Sequence, residues 1–382
     1  MSKDGSQILL MVVNDPLFFL SHRLPLAKAA LAEGYSVHVA TMPGASADKI
    51  ERYGFTHHKL PFTRSGVHPI GELVALIALL RLCLKLKPTI LHLVTIKPVL
   101  YGGIVARVCS IKGVVAAVSG LGFVFTAREA KYSILRELVK LLYRVALSQP
   151  NVRVIFQNPD DLAEFVKSRV VFLKQAILIK GSGVNLAEYS FKSESYGQPA
   201  VVFAGRLLRD KGVVEFVSAV RMLHARGVNA RFRLLGSIDL GNPSSIQGGE
   251  LEKWREEGIV ECLGYRTDIA EIFADSHIVV LPSYREGLPK VLMEAAACGR
   301  AVVTTDVPGC RDAIEAGVTG LLVPVYNIEA LADAIQKLVE NPQLRQRMGR
   351  AARELAEREF TVENVVQQHL NIYRTLGAEL DI

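Results

Sequence analysis

The sequence predicts an α/β protein of two Rossmann-like, doubly wound parallel-sheet domains that face each other across a cleft. Three observations support this prediction. Short runs of β-branched and aliphatic residues alternate with longer segments of helical spacing, and such alternation is typical of parallel sheets covered on both faces. The alternation occurs in two successive sets. A chain of 382 residues also exceeds a single ordinary core.

The first set of elements predicts the N-terminal domain. Its apolar, β-branched runs are strand candidates at 7–13, 36–41, 89–94, 113–118, 152–157 and 176–180. The segments between them have apolar residues at helical spacing, and they lie at 22–33, 69–87, 97–110 and 130–148.

The second set predicts a C-terminal domain of the same kind. Its strand candidates are 199–204, 230–235, 259–263, 277–281, 301–304 and 320–323, and its helical segments are 211–226, 289–298, 327–340, 342–358 and 361–376. The polar stretch 185–199 is typical of a domain boundary. We therefore expect domains at 1–185 and 186–360, with a final helix within 361–382 that packs back on the first domain.

Composition excludes several classes of protein. Half the residues are apolar and 22% are charged, which is typical of globular proteins. The five cysteines are scattered and form no CxxC pair, so neither a disulfide framework nor a zinc site is indicated. The polar start MSKDGSQ does not resemble a signal peptide, and the longest apolar run is interrupted by Arg81 and too short to span a bilayer. We expect a cytoplasmic protein.

The charge is divided unevenly along the chain. Residues 1–185 contain 23 Lys and Arg against 11 Asp and Glu, whereas residues 186–382 contain 22 against 27. A basic first half indicates an anionic partner for that domain. We expect no nucleic acid among the partners.

A candidate anion site follows the first strand of the second domain. After PAVVFA comes GRLLRDKG, in which Gly205 permits a tight turn and close backbone approach. Arg206 follows at once, and Lys211 stands at the start of the next helix. A guanidinium and an ammonium suit a diphosphate here, because ligands of open parallel sheets bind at the carboxyl ends of the strands. The alternative is that both are solvated surface cations.

A second candidate site is EGLPKVLMEAAACG, residues 286–299. Glu286 lies in the predicted loop, Pro289 suits a first helical turn, and Glu294 lies within the helix. The N–H groups and dipole of a helix start favour a phosphate. One long ligand fits this pattern, with a sugar at one carboxylate, a diphosphate between, and a ribose at the other. The alternative for Glu294 is a helix-surface residue without a ligand.

Taken in order, these motifs resemble a known family. GRLLRDKG, LLG, GYRTDI, the E-x7-E pattern of Glu286 and Glu294, and TGLLV resemble the second domain of retaining glycosyltransferases of family 4, which have the GT-B fold. The resemblance is dense over 195–345 and weaker in the first domain. NPSS, YREG and PGCRDAI make the chain most similar to bacterial transferases that move an N-acetylhexosamine from a UDP donor to an undecaprenyl-diphosphate-linked sugar.

This resemblance implies roles for individual residues. The catalytic residues implied are Arg206, Lys211 and Glu286. Arg206 and Lys211 would hold the diphosphate. Glu286 would accept hydrogen bonds from the donor sugar, and Glu294 from the ribose. Residues 264–266 would lie near the uracil. The donor-binding set implied is Gly205, Arg206, Lys211, Gly236, Gly264, Tyr265, Arg266, Glu286, Gly287, Leu288, Lys290 and Glu294.

The first domain departs from the family pattern in two loops. The loop after its first strand reads NDPLFFLSHRLPLA and contains no glycine, where many members are glycine-rich. The loop SGLGFVFTA contains no histidine, where many members have one near the reacting sugar. Gly120 and Gly122 are candidates to position the acceptor or sugar, as are His22 and Arg23. No catalytic base is assigned, and the alternative for His22 is a helix-end residue without chemistry.

The resemblance also implies a mechanism of transfer with retention. The leaving diphosphate gains charge, which Arg206, Lys211 and the helix start would stabilise. Closure of the domains would align the reactants and exclude water. A leaving phosphate oxygen could take the acceptor proton. We expect neither metal nor cofactor, since the UDP-sugar is itself a substrate.

Other functions share this architecture. A UDP-sugar epimerase of GT-B fold is one alternative, although the cleft constellation expected of it is not evident in the sequence. A non-catalytic nucleotide-sugar-binding subunit is another. A nicotinamide dehydrogenase ranks last, because no GxGxxG follows the first strand.

Two segments of the first domain combine cations with aliphatic residues, 71–88 and 127–147. Such a helix can lie on an anionic bilayer with its apolar side inserted and its cations on phosphates. We expect this of 127–147, which would attach the protein peripherally to the inner face of the plasma membrane, where a polyprenyl-diphosphate-linked acceptor resides. For 71–88, a helix that covers the sheet with solvated cations is the better interpretation.

Overall fold

The computed structural model describes residues 7–44, 46–63, 68–120 and 133–378, with the backbone alone at 133–135. It has two compact units. The first comprises Met1–Ser182 with Glu363–Ile382, and the second comprises Gly183–Val362. The chain therefore leaves the first unit three residues before the boundary expected at 185 and returns two residues after 360.

The first unit contains a seven-stranded, all-parallel sheet in the order β3-β2-β1-β4-β5-β6-β7. Its strands are rich in valine, isoleucine and leucine, and those in the middle are buried along their whole length, as parallel strands covered on both faces must be. The strands are β1 Ile8–Val13, β2 Ser36–Thr41, β3 Thr56–Lys59, β4 Ile90–Val94, β5 Gly113–Val118, β6 Val152–Phe156 and β7 Ala176–Leu178.

Helices cover both faces of this sheet. One face packs against α4, α5, α6 and α7, and the other against α1, α2 and the last helix of the chain, α14. The helices are α1 Pro16–His22, α2 Leu24–Ala32, α3 Asp48–Glu51, α4 Pro69–Leu86, α5 Ile96–Val108, α6 Ser133–Leu147, α7 Pro159–Lys167 and α14 Val362–Ala378.

The second unit repeats this design with a six-stranded parallel sheet in the order β10-β9-β8-β11-β12-β13. The strands are β8 Ala200–Ala204, β9 Arg231–Leu235, β10 Glu261–Gly264, β11 Ile278–Leu281, β12 Ala301–Thr305 and β13 Gly320–Val323. The helices are α8 Val213–Ala225, α9 Gly248–Glu257, α10 Ile269–Ala274, α11 Lys290–Ala297, α12 Ile328–Glu340 and α13 Pro342–Glu359. A single apolar core runs through the unit.

The predicted fold class of two doubly wound parallel sheets is confirmed, and every predicted strand has a counterpart. The edge strand β3 was missed because THHK has no apolar run. The helix expected over 22–33 corresponds to α2, which begins at Leu24 with Pro25 in its first turn, so His22 belongs instead to the preceding helix α1. The short helices α1, α3, α7, α9 and α10 were also missed.

The sequence predicts that the cations of 127–147 face lipid phosphates, and the outer face of α6, the described part of that segment, differs from this prediction. On α6 the exposed side chains are apolar apart from Glu137, whereas Lys140 pairs with Glu137 and Glu164, and Arg144 donates to the Ser168 carbonyl. The exposed apolar residues of α6 are Leu138, Leu141, Leu142 and Val145, and those of α4 are Ile70, Leu73, Val74, Ile77 and Leu84. Both helices therefore cover the sheet and also present an apolar outer face. Of the helices described, none is long and apolar enough to cross a bilayer.

Candidate functional site

The sequence-predicted anion site lies at the carboxyl ends of β8 and β11 in the second unit. These strands are neighbours, and the chain order reverses between them, because β9 lies on one side of β8 and β11 on the other. Such a switch point is where open α/β sheets bind ligands. Gly205 and Lys211 follow β8, while Ser283 and Glu286 follow β11.

Lys211 and Glu286 form an ion pair that joins these two loops. The Lys211 ammonium contacts Glu286 Oε1, and the Ser283 hydroxyl lies 2.7 Å from the same oxygen. Both side chains are largely covered, so the pair is screened less than one at the surface. Two residues that the sequence assigned to different parts of a ligand are thus in direct contact.

Two glycines allow the loops to come this close. Gly212 has a φ of 74°, and a Cβ at this position would collide with the Pro282 carbonyl. Gly309 has a φ of 81°, and its Cβ would lie 2.5 Å from the carbonyl oxygen of Glu286 and 2.6 Å from that of Gly287. The Glu286 N–H also donates to the Pro308 carbonyl at 3.1 Å. The backbone at Glu286 is therefore held by packing on both sides.

Arg206 lies on the same loop as Lys211, directly after Gly205, and its side chain is half exposed. Its Nη1 donates to Asp239 Oδ2 at 2.9 Å, in the loop after β9. The Asp239 carboxylate holds the guanidinium at the strand ends, where a ligand oxygen could exchange with it.

Three glycines mark the ends of three neighbouring strands. The Gly205 N–H donates to the Leu235 carbonyl, and the Gly236 N–H to the Gly264 carbonyl, each at 3.0 Å. Beyond Gly264, Tyr265 is 73% exposed. Arg266 is held by Asp268, with Nε to Oδ1 at 2.8 Å. An exposed ring and a fixed guanidinium thus stand at the end of β10.

Glu294 is buried on α11. It is 6% exposed, Lys290 Nζ lies 3.1 Å from Oε1, and the Tyr189 hydroxyl forms a hydrogen bond with the carboxylate. Burial raises the pKa of Glu294, and the Lys290 ammonium opposes this rise. The alternative of a solvated helix-surface residue is therefore excluded.

The start of α11 differs slightly from the prediction. Pro289 is the N-cap rather than a residue of the first turn, the helix begins at Lys290, and no side chain caps it. The N–H groups of a first turn have no partners within a helix, so they remain suited to an anion. Leu288 is buried and could contribute only its backbone.

Sequence reasoning missed Ser283, Asp239 and Tyr189. Ser283 stands three residues before Glu286, so its proximity was a signal that could have been used. Tyr189 lies in the stretch that was interpreted as a polar domain boundary, yet its side chain is 6% exposed. No local pattern links it to Glu294, because the contact forms only in the folded unit.

The candidate residues of the first unit lie in different surroundings. His22 stacks on Phe18 with ring centroids 4.1 Å apart, and its Nδ1 lies 2.6 Å from the Ser21 hydroxyl. Arg23 is only 2% exposed, and burial lowers its pKa to about 10. This burial argues against the direct acceptor contact expected for Arg23. Gly120 follows β5 with a φ of 121°, and Gly122 lies outside the described residues.

Among the residues that the structure describes, no group of three or more His, Cys, Asp and Glu side chains is arranged to hold a metal ion.

Two family models match most of the chain between them. Residues 185–355 match the model described as glycosyl transferases group 1, and residues 7–158 match glycosyl transferase 4-like.

Two curated relatives match nearly end to end. The chain is 29% identical to the N,N'-diacetylbacillosaminyl-diphospho-undecaprenol alpha-1,3-N-acetylgalactosaminyltransferase of Campylobacter jejuni, over 93% of this chain and 97% of the relative. It is 23% identical to the capsular polysaccharide biosynthesis glycosyltransferase CapM of Staphylococcus aureus, over 96% and 98%.

The fold is shared with solved structures. HepE of Anabaena, solved with UDP and glucose, superposes with a TM-score of 0.76 at 18% identity, over 96% of this chain and 99% of that one. The likeness covers both units. With a 4-like domain followed by a group 1 domain, this chain belongs to the group 1 glycosyltransferases of family 4, which have the GT-B fold.

Proposed function

We propose that this protein transfers an N-acetylhexosamine, such as GalNAc or GlcNAc, from a UDP donor to a polyprenyl-diphosphate-linked saccharide, with retention of configuration. The observation that carries the proposal is the Lys211–Glu286 pair at the switch point of the second sheet. The acceptor class is supported by the Campylobacter relative, whose name specifies a diphospho-undecaprenol-linked substrate. The donor nucleotide is supported by HepE, which was solved with UDP.

The pair suits a donor that carries a sugar next to a diphosphate. Lys211 has three N–H donors, and one is directed at Glu286. The others can bind phosphate oxygens, and the Glu286 carboxylate can accept hydrogen bonds from sugar hydroxyls. Lys211 would then separate two anions, the carboxylate and the phosphate, and reduce their repulsion. Arg206 and the first turn of α11 supply further stabilisation as charge grows on the leaving group.

The remaining donor contacts extend away from this pair. Glu294 would accept hydrogen bonds from the ribose hydroxyls. Because its carboxylate is buried, a ligand group that cannot donate a hydrogen bond would be disfavoured at this position. The backbone of Gly287, Leu288 and Lys290 would line the sugar and phosphates. The strand ends at Gly205, Gly236 and Gly264, with Tyr265 and Arg266, would contact the nucleoside.

The mechanism proposed needs no protein base. The bond between the anomeric carbon and the phosphate oxygen breaks while the acceptor oxygen attacks the same face, which gives retention, and the departing phosphate oxygen takes the proton of the acceptor hydroxyl. Lys211 and Arg206 stabilise that oxygen, and no metal ion is required. We further propose that the second unit binds the donor, that the first binds the acceptor, and that the first attaches peripherally to the cytoplasmic membrane face.

A panel assay tests this function. The protein is incubated with UDP-GalNAc, UDP-GlcNAc or UDP-glucose and a short-chain prenyl-diphosphate N-acetylhexosamine, with and without EDTA. We expect one N-acetylhexosamine to be added in an α linkage, at a rate that EDTA does not change. Interconversion of the UDP-sugars would favour an epimerase instead, and binding without turnover would favour a non-catalytic subunit.

A further inference from the structure

The first sheet has its own switch point, between β1 and β4. β2 lies on one side of β1 and β4 on the other, and Val13 at the end of β1 is in register with Val94 at the end of β4. The next residues along each strand, Asn14 and Thr95, therefore stand side by side at the carboxyl edge. This is the position that corresponds to the donor site of the second sheet.

Each of these residues has a buried oxygen without a partner. Asn14 Nδ2 lies 3.5 Å from the Thr63 carbonyl, and this contact turns Oδ1 away from it. Within the described part of the chain, Asn14 Oδ1 and Thr95 Oγ1 make no hydrogen bond although both atoms are covered. The residues themselves are only half buried, so other atoms of each residue remain accessible to solvent. Unsatisfied buried oxygens are rare and call for a ligand or another specific cause.

The backbone at Thr95 is strained. Its φ of 75° and ψ of 167° fall in a region that is essentially restricted to glycine, and a β-branched side chain makes this more unfavourable. Strain of this kind persists where the surrounding structure enforces it, and it occurs most often at functional sites.

A polar clamp beside Thr95 supplies that enforcement. Lys97 Nζ lies 2.6 Å from Glu72 Oε1 and 2.9 Å from the Thr63 hydroxyl, and the Tyr101 hydroxyl donates to Glu72 Oε2 at 2.6 Å. The clamp ties α4 to α5 directly after Thr95 and holds Thr63, which in turn contacts Asn14. The clamp is itself well bonded, because Lys97 also lies 3.1 Å from the Thr63 carbonyl. We therefore interpret the clamp as positioning Thr95 and Asn14, and not as a site where Lys97 binds an anionic ligand.

The chemistry of the two oxygens restricts the ligand. An amide oxygen only accepts hydrogen bonds, and a threonine hydroxyl can accept or donate. A diphosphate has no donor to offer Asn14 Oδ1 and would be repelled by it. A saccharide has hydroxyl groups and, in an N-acetylhexosamine, an amide N–H.

We propose that Asn14 and Thr95 bind a hydroxyl or amide N–H of the acceptor saccharide and thereby select the sugar rather than its diphosphate or prenyl tail. This inference rests on the proposed function and adds the residues that recognise the acceptor.

The experiment compares Asn14→Ala and Thr95→Val with Thr95→Ser, which retains the hydroxyl, in the full-length protein. Transfer to a short-chain prenyl-diphosphate N-acetylhexosamine is followed at saturating donor. We expect Asn14→Ala and Thr95→Val to raise the KM for this acceptor about 10-fold or more, and Thr95→Ser to remain within about twofold of wild type. UDP affinity by calorimetry and the slow hydrolysis of the UDP-sugar without acceptor should not change, and a urea-unfolding profile like that of wild type verifies that the first unit of each variant is folded.

The outcomes separate this inference from the proposed function. An unchanged acceptor KM in Asn14→Ala and Thr95→Val, with an active wild type, overturns the acceptor site alone. A loss of UDP affinity as large as the rise in acceptor KM indicates a structural role for these residues and also overturns the acceptor site. A wild type that binds UDP but transfers no sugar overturns the proposed function, and this inference with it.

Discussion

At the scale of single residues, the two glutamates of the second unit occupy different surroundings. Glu286 shares one oxygen between Lys211 and Ser283 at the strand ends. Glu294 is buried on α11, where burial raises its pKa and Lys290 and Tyr189 hold its carboxylate. Loss of each carboxylate should therefore weaken the binding of a different part of the donor.

We predict that Glu294→Ala weakens UDP binding by about 10-fold or more, because a ribose hydroxyl loses a charged acceptor. Glu286→Ala should leave UDP affinity within about threefold and reduce affinity or turnover for the intact UDP-sugar. Calorimetry with UDP and with UDP-sugar measures both effects, and Glu357→Ala, at an exposed position of α13, is the control. Loss of UDP binding in Glu286→Ala but not in Glu294→Ala would reverse the proposed order of contacts along the ligand.

The sequence was informative about residues whose role depends on local chemistry. Lys211, Glu286 and Glu294 could be selected because each follows a strand or lies on the next helix. Tyr189 could not, because it meets Glu294 across more than a hundred positions of sequence. The burial of Arg23 was equally hidden, because the groups within its electrostatic reach, His92 on β4 and Tyr373 on the last helix, are distant in sequence.

At the scale of elements, α14 is attached to the first unit through a buried polar cluster. Tyr373 on α14 forms a hydrogen bond with His92 on β4, and the rings of His92 and His369 stack at 5.7 Å. Arg23 lies within electrostatic reach of this group, and all four side chains are at most 2% exposed. Burial lowers the pKa of His92, and it lowers that of His369 to about 3.

This cluster predicts acid sensitivity of the first unit. Both histidines are neutral when folded, and their unfolded pKa is about 6.5, so the unfolded chain binds more protons below that value. The stability they contribute is present above pH 6.5 and is lost as pH falls towards their folded values, by up to about 1.4 kcal/mol per pH unit for each histidine.

Urea unfolding between pH 7.5 and 4.5 tests this prediction. The His369→Gln variant should show a shallower pH dependence of the first unit's unfolding free energy than wild type. His224→Gln, at an exposed position of α8, should not differ from wild type in slope. Equal slopes in wild type and His369→Gln would show that His369 does not carry this effect.

Elements with a strong apolar pattern were the predictable ones. The central strands of both sheets are nearly continuous runs of aliphatic residues, and each was located within one or two residues. β3 and the short helix α10 were not located, because four to six residues give too little periodicity to distinguish a helix, a strand and a loop. Tertiary contacts decide such segments.

At the scale of the whole molecule, the basic half of the chain is also the half with apolar outer helix faces. Leu138, Leu141 and Val145 are exposed on α6, while nearby Lys140 and Arg144 are bonded to the protein. We therefore expect apolar insertion by α6 to be aided by the net charge of the unit, and not by direct contacts from Lys140 or Arg144.

Vesicle co-sedimentation tests this membrane contact. Wild type should bind vesicles that contain anionic lipid, and high salt should weaken this binding because the attraction is screened. Replacing Leu138, Leu141 and Val145 by Glu should reduce binding about 10-fold or more, whereas Leu240→Glu, at an exposed apolar residue of the second unit, should have little effect. Equal binding by the triple variant and wild type would exclude this face.

The most direct test of the account is turnover of the donor in Lys211→Ala, compared with Arg209→Ala. Lys211 contacts Glu286 at the strand ends, whereas its neighbour Arg209 pairs with Glu250 at the surface. We predict that Lys211→Ala lowers kcat on the order of 100-fold, because Lys211 meets charge that grows in the transition state, and that Arg209→Ala stays within about threefold of wild type. Near-wild-type kcat in a folded Lys211→Ala protein would contradict the assignment of this site to the departing diphosphate.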